Sequence, residues 1–214
     1  DWSSDVCSSD LGLVRSDLDT LFRWRHFRTE SDLRRHVEEG PDRPWRVVIT
    51  GASGLIGRQL AAFLSTGGHE VRRLVRREPN RAAGEYRWNP EAGSIEPGVF
   101  DDADAVVHLA GAGIADERWT DERMHVIRES RIKGTALLAE TLSSLDRPPR
   151  VLVSASAVGI YGNRDEPVDD DGPPADSWLA DVARDWEAAA RWPTAMENCC
   201  PPSPAAPSCT EISR

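Results

Sequence analysis

The chain has 214 residues, with 36 Asp and Glu against 26 Lys and Arg and a formal net charge of −10. A chain this acidic is not expected to bind nucleic acid or a membrane surface, so any anionic ligand has to be held by local cations and backbone amides. No apolar run approaches membrane-spanning length and no secretory leader is visible. The four cysteines (Cys7, Cys199, Cys200, Cys209) lie outside the patterned centre, with no disulfide or zinc spacing. No metal site is expected, and a reducing cytoplasm is the expected compartment.

Residues 1–10 are rich in Ser and Asp and lack a core pattern; they read as a non-native leader, of the kind left by a cloning or sequencing scar. Residues 11–45 read as a connector. Leu18, Leu21 and Phe22 sit at helical spacing, Thr29 to His36 begins like a capped helix, and Pro41 and Pro44 mark a linker.

The chemistry-bearing stretch is Arg46 to Gly57, Arg-Val-Val-Ile-Thr-Gly-Ala-Ser-Gly-Leu-Ile-Gly. Arg46–Thr50 is a β-branched run suited to a buried strand, and Arg58–Ser65 carries Leu60, Ala61 and Leu64 on one helical face. Strand, glycine turn and helix start, in that order, make a dinucleotide-phosphate site. Gly51 permits the tight turn, Gly54 lets backbone approach a pyrophosphate, and Gly57 lets the helix lie close to the strand. Ser53, Leu55 and Ile56 belong to the same turn and helix start, whose free N–H groups face the anion.

Val71, Leu74 and Val75 predict a second strand ending at Arg76-Arg77. That end falls about 20 residues past the glycine turn, where such strands meet the adenosine ribose. An acid there would bind the 2′-hydroxyl of NAD. Two arginines instead suit the 2′-phosphate of NADP, because a guanidinium forks onto phosphate oxygens. NADP is therefore the expected cofactor, with NAD possible; the alternative is a solvated basic strand end. Residues 78–100 read as a hairpin or turn excursion with Trp88 as a packing residue. Asp104 to Ala112 holds the next buried strand, with His108 a core histidine rather than a catalytic one. Thr120-Asp-Glu-Arg caps a helix that Pro148-Pro149 bounds, and Arg150 to Gly162 supplies a further strand and its exit loop. A helix runs from Asp176 to about Ala190. From Arg191 the pattern fails: Pro201, Pro202 and Pro204 forbid a central strand, and 191–214 reads as an irregular, frameshifted or truncated tail.

Thr50-Gly-Ala-Ser-Gly-Leu-Ile-Gly57 resembles the extended short-chain dehydrogenase/reductases. Ala110-Gly-Ala-Gly-Ile-Ala-Asp-Glu-Arg-Trp-Thr, Ser130-Arg, Ser154-Ala-Ser-Ala-Val-Gly-Ile-Tyr-Gly and Asp185-Trp-Glu-Ala-Ala narrow this to the subgroup described as sugar nucleotide epimerase or cell-division-inhibitor-like. The resemblance covers residues 46–190. It implies a doubly wound, parallel α/β sheet of the Rossmann type that binds NAD(P). It also implies that Leu109, Ala110 and Gly111 lie under the nicotinamide side of the cofactor, and that the Ser156 hydroxyl contacts the reacting oxygen, with Ser154 its neighbour. The family's Tyr-x-x-x-Lys pair is absent: those positions hold Leu179 and Ala183, and Arg131 stands where an asparagine is usual. Leu21 to Leu33 resembles the connector that follows a START-like domain; an exposed amphipathic leader is the alternative. The function expected from all this is an NADP-dependent oxidoreductase or epimerase-like enzyme acting on a small or nucleotide-sugar-like substrate. The rival is a non-catalytic NADP-binding sensor.

Overall fold

The structure is a computed structural model that describes residues 8–38, 40–191 and 210–213. Two compact units divide at residues 43 and 44. The first holds α1 (Ser8–Glu38). The sequence predicts a fresh helix start near Thr29, but α1 runs straight through. No Gly or Pro falls between Leu13 and Glu38, and i,i+4 pairs bridge the expected break: Arg28–Asp32 at 3.9 Å and Glu30–Arg34 at 3.0 Å.

The second unit is a layered α/β fold around one seven-stranded sheet of order β4-β3-β2-β1-β5-β6-β7. Its strands are β1 (Arg46–Thr50), β2 (Glu70–Val75), β3 (Glu85–Asn89), β4 (Ser94–Ile95), β5 (Ala105–His108), β6 (Val151–Ala155) and β7 (Thr210–Ser213). All neighbours are parallel except β3 and β4. The helices are α2 (Leu55–Thr66), α3 (Asp121–Ser143) and α4 (Trp178–Ala189). Parallel strands are covered on both faces, so β1 is apolar on both. Val47 and Ile49 pack with Ala61 and Val71, whereas Val48 packs with Leu74, Trp88, Leu138 and Leu142. The Rossmann-type, doubly wound sheet predicted from the sequence is present. Its strand order reverses between β1 and β5, the place where such sheets open a crevice.

Two segments differ from expectation. The predicted excursion at 78–100 contains the hairpin β3–β4, but its first arm also joins the main sheet, pairing in parallel with β2 from Arg73↔Glu85 to Val75↔Arg87. Trp88 is 3% exposed and packs in the core, as expected. The tail expected to be irregular contains β7, which pairs with β6 from Leu152↔Thr210 to Ala155↔Ser213. This segment is proline-free and includes the β-branched Thr210 and Ile212, which suits a strand. Pro201, Pro202 and Pro204 lie outside the described residues, as do residues 1–7.

His108 is fully buried, as a core histidine should be. Its Nε2 lies 2.9 Å from Thr135 Oγ1, and Thr135 donates its own hydroxyl to the Arg131 carbonyl at 2.7 Å. The Thr135 oxygen must therefore accept from Nε2–H. That leaves Nδ1 as the acceptor for the Thr50 hydroxyl at 2.7 Å, so the ring is the neutral Nε2–H tautomer. Burial pulls its pKa from 6.5 down to about 4. The unfolded chain then binds a proton that the native state refuses, so this contribution is complete above pH 6.5 and is lost as pH falls toward 4. Between pH 7.5 and 5 the loss is about 2 kcal/mol. Urea unfolding at a series of pH values will show this slope, and His108→Asn will remove it while lowering stability at every pH.

Candidate functional site

The site grows from the turn after β1. Gly51 has φ +68°, and its amide carbonyl accepts from Gly54 N at 2.9 Å. A Cβ on Gly51 would sit 2.7 Å from the Leu109 carbonyl carbon and oxygen and 2.9 Å from Ala110 N, so only glycine lets this turn meet the end of β5. A Cβ on Gly57 would lie 2.3 Å from the Gly51 oxygen; this is the close approach of helix to strand that the spacing predicts. The Thr50 hydroxyl accepts from Leu109 N at 3.1 Å and Ala110 N at 3.2 Å, tying the two strand ends together.

Gly54 is the N-cap of α2. A Cβ there would meet only the Gly51 oxygen, at 3.2 Å, so its other side is open. No side chain caps this helix and no acid occupies its first turn. The end of α2 is therefore electropositive and uncovered, which fits a diphosphate. A cleft of about 560 Å³ opens here, lined by Gly51, Ala52, Ser53 and Gly54, the Arg73–Arg77 strand end, Glu85, Trp88, and Leu109, Ala110 and Gly111. Of the residues expected to bind cofactor, the structure gathers Gly51, Ser53, Gly54, Arg76, Arg77, Leu109, Ala110 and Gly111 around one space. Leu55 and Ile56 are exposed on the first turn of α2, and Gly57 is buried beneath the turn.

The two arginines at the end of β2 part company. Arg77 grips the Glu85 carboxylate with both terminal nitrogens, at 2.7 and 2.5 Å, and donates to the Glu78 carbonyl at 2.9 Å. That guanidinium, with the Asn80 amide, holds the Glu85 carboxyl below the usual glutamate range. Arg76 is exposed and has no side-chain partner among the described residues.

Arg131 appears in the sequence only as a departure from an asparagine. It is 8% exposed, donates to the Ala112 and Ile127 carbonyls at 3.0 and 2.9 Å, and lies 5.1 Å over the Trp186 ring. No carboxylate pairs with it among the described residues. Burial, then repulsion from Arg123, lowers its pKa from the ordinary arginine value. A Cβ on Gly111 would be 3.3 Å from the Arg131 Cζ, so a buried cation backs the cleft wall. The helical spacing did not reveal this, because the contact spans the β5–α3 loop.

Ser154 is 2% exposed and its hydroxyl turns to the Ala155 carbonyl at 3.4 Å, whereas Ser156 is half-buried. The β5–β6 register ends at His108↔Ser154, and Ser156 comes two residues beyond it, as Ala110 of the cleft does on the neighbouring segment. Ser156 is not itself part of the cleft lining; its Oγ donates to Glu187 Oε1 at 2.5 Å. At the positions of the missing pair, Leu179 packs near Gly159 and Ala183 is 1% exposed. Among the described residues no group of His, Cys, Asp and Glu could hold a metal ion, and no helix is long and apolar enough to cross a membrane.

A Rossmann sheet with an uncapped, glycine-lined helix start at its switch point defines a nucleotide-binding α/β protein. The profile of the NAD dependent epimerase/dehydratase family matches residues 47–179, and the chain belongs to that family. It is 42% identical over 146 residues to an epimerase family protein of Mycobacterium bovis, covering 68% of this chain and 48% of that protein. It is 34% identical over 152 residues to the human epimerase family protein SDR39U1, covering 69% of this chain and 50% of the human one. The chain thus spans about half the length of the curated relatives it matches. Among solved structures, a nucleoside-diphosphate sugar epimerase from Corynebacterium glutamicum superposes with TM-score 0.66 at 39% identity, over 79% of this chain and 36% of that one. Human SDR39U1 (isoform 2), crystallised with NADPH, superposes with TM-score 0.61 at 32% identity, over 69% of this chain and 49% of that one.

The Gly57 contact is backbone against backbone and cannot be relieved by a side-chain rotation. Gly57→Ala should cost about 1–3 kcal/mol of stability. Denaturant unfolding will measure it, with Gly54→Ala, whose Cβ is far less crowded, losing less.

Proposed function

We propose that these residues form the cofactor-binding part of an NADP(H)-dependent oxidoreductase or epimerase-like enzyme acting on a nucleotide-sugar-like or comparable small substrate. The observation that carries it is the open, uncapped start of α2 facing a cleft whose opposite wall is Leu109–Gly111. A diphosphate fits the first-turn amides beside Gly54, where glycine leaves the backbone bare. The adenosine end falls at Arg76, the uncommitted guanidinium. Leu109 to Gly111 offers a small-residue wall for the nicotinamide, with Arg131 as a positive charge behind it. When bound, the nicotinamide supplies or accepts hydride. The chain's own residues then orient the substrate, and Ser156, just past the end of β6, hydrogen-bonds its reacting oxygen. The names and contents of the similar structures, a nucleoside-diphosphate sugar epimerase and an NADPH complex, support the substrate and cofactor classes.

A second reading is a binding module that senses NADP(H) without turning it over. It is favoured by the apolar Leu179 and Ala183 at the places of the usual acid/base pair. Tight NADPH binding without NADPH oxidation on any carbonyl compound distinguishes it.

Cofactor choice is tested at the end of β2. A charge-assisted bond to phosphate is worth roughly 1.5–3 kcal/mol, so Arg76→Ala should weaken NADPH about tenfold or more and leave NADH nearly unchanged. Arg77→Ala should also weaken NADPH, because it leaves the Glu85 carboxylate unpaired beside the same cleft. Fluorescence titration with both dinucleotides measures these effects; equal loss of NADPH and NADH in Arg76→Ala refutes the 2′-phosphate role.

A further inference from the structure

The mechanism above leaves the proton unassigned. Oxidising an alcohol sends the electrons of a C–H bond to oxidised nicotinamide as hydride and releases the O–H proton. A serine hydroxyl alone neither stores nor supplies a proton near neutral pH, and the family's tyrosine position holds Leu179. We propose that Glu187 is the proton-exchanging group of this site, acting through the Ser156 hydroxyl. The inference rests on reading the cleft as a nicotinamide dinucleotide site.

Three observations carry it. The Ser156–Glu187 separation is 2.5 Å, the range of a hydroxyl bonded to an ionised carboxylate. The pair stands at the cleft end of the sheet: Ser156 comes two residues after the last β5–β6 pair on one side, as the cleft residue Ala110 does on the other. Glu187 is also fixed in place. The residues before it, Asp185 and Trp186, engage Arg128 and Arg131 of α3, while Ala180, Val182 and Ala183 bury the inner face of α4. Side chains held this way need little reorganisation during proton transfer.

The step balances as follows. The substrate carbon gives hydride to oxidised nicotinamide. Its hydroxyl proton passes to Ser156 Oγ as the Ser156 proton passes to Glu187, and the new carbonyl leaves Glu187 as a neutral acid. Carbonyl reduction runs the same path backward, with NADPH as hydride donor and protonated Glu187 as proton donor. Glu187 reaches the reacting oxygen only through Ser156, so it is a positioning residue that takes up and returns the proton. Other charged or titratable groups on the elements packed against α4 have their own engagements. Arg128 pairs with Asp185, Arg131 donates to carbonyls and covers Trp186, and the Tyr161 hydroxyl donates to the Asp170 carbonyl at 2.7 Å.

The test compares the full chain with Glu187→Gln, Glu187→Asp and Ser156→Ala. On cofactor-free protein, pH-difference infrared spectroscopy should show a carboxylate band that Glu187→Gln deletes and Ser156→Ala shifts. NADPH affinity, by fluorescence titration, should stay within about twofold in all variants. NADPH oxidation is then followed against pH with small ketones and a nucleoside-diphosphate 4-ketohexose. The wild type should slow as pH rises, because carbonyl reduction needs a proton on the Glu187–Ser156 relay. Glu187→Gln should lose about a hundredfold in kcat and the pH dependence with it, while Glu187→Asp keeps the pH limb and part of the rate. An active Glu187→Gln with the wild-type pH profile overturns the inference alone, as does a Ser156→Ala that leaves the band unmoved. A wild type that binds NADPH but oxidises it with no carbonyl overturns the enzyme reading and this inference with it, and one that binds no NADPH overturns the cofactor reading itself.

Discussion

The structure depends on one backbone contact: the turn after β1 pressed against the end of β5. Two strand ends that met only through side chains would leave the cleft floor free to breathe. Here Gly51 removes the side chain and the Thr50 hydroxyl takes both amides of the opposing segment. That hydroxyl can accept twice because its proton goes to His108, and His108 stays neutral because it is buried and bonded to Thr135 on α3. A protonated ring would offer a donor where Thr50 needs an acceptor. The knot thus joins β1, β5 and α3, and it brings Arg131, whose carbonyl takes the Thr135 proton, up behind Gly111.

This arrangement reconciles an acidic protein with an anionic ligand. At a net charge of −10 the far field repels a dinucleotide, and attraction has to be generated within a few ångströms. The bare start of α2 supplies partial positive charge without a side chain, Arg131 supplies a buried one, and Arg76 an exposed one. Arg77 contributes differently. Clamped on Glu85, it cancels a carboxylate that would otherwise oppose the ligand, and it fixes β3 to the end of β2.

How legible these features were in the sequence follows from their range. The strand, glycine turn and helix of 46–66 lie within one local segment, so spacing alone placed them; the sheet class came with the family resemblance, and the core role of His108 from its place inside an apolar strand. The place of β3 in the sheet was hidden, because the alternation of Glu85-Tyr-Arg-Trp-Asn suits a hairpin arm as well as a sheet strand, and its parallel partner lies 12 residues earlier. For the same reason Arg76 and Arg77 looked equivalent; only the register that sets Glu85 opposite Arg73 shows that one of them is committed. Arg131 behind Gly111 and Glu187 on Ser156 join segments 20 and 31 residues apart, and no periodicity spans such gaps.

The absence of the tyrosine and lysine is built into the packing of α4 rather than being a gap in an otherwise ordinary site. Ala183 is 1% exposed, so Ala183→Lys would bury a cation on the inner face of the helix, at a cost of several kcal/mol without a paired acid. Leu179 Cβ stands 3.4 Å from where a Cβ on Gly159 would fall, so the helix and the 3-10 turn at 158–161 meet at this glycine in van der Waals contact. The small, apolar face lets α4 lie close, and that closeness brings Glu187, two turns beyond Leu179, within hydrogen-bond reach of Ser156. The side chains that stand in place of the tyrosine and lysine thus belong to the same packing that sets Glu187 against Ser156.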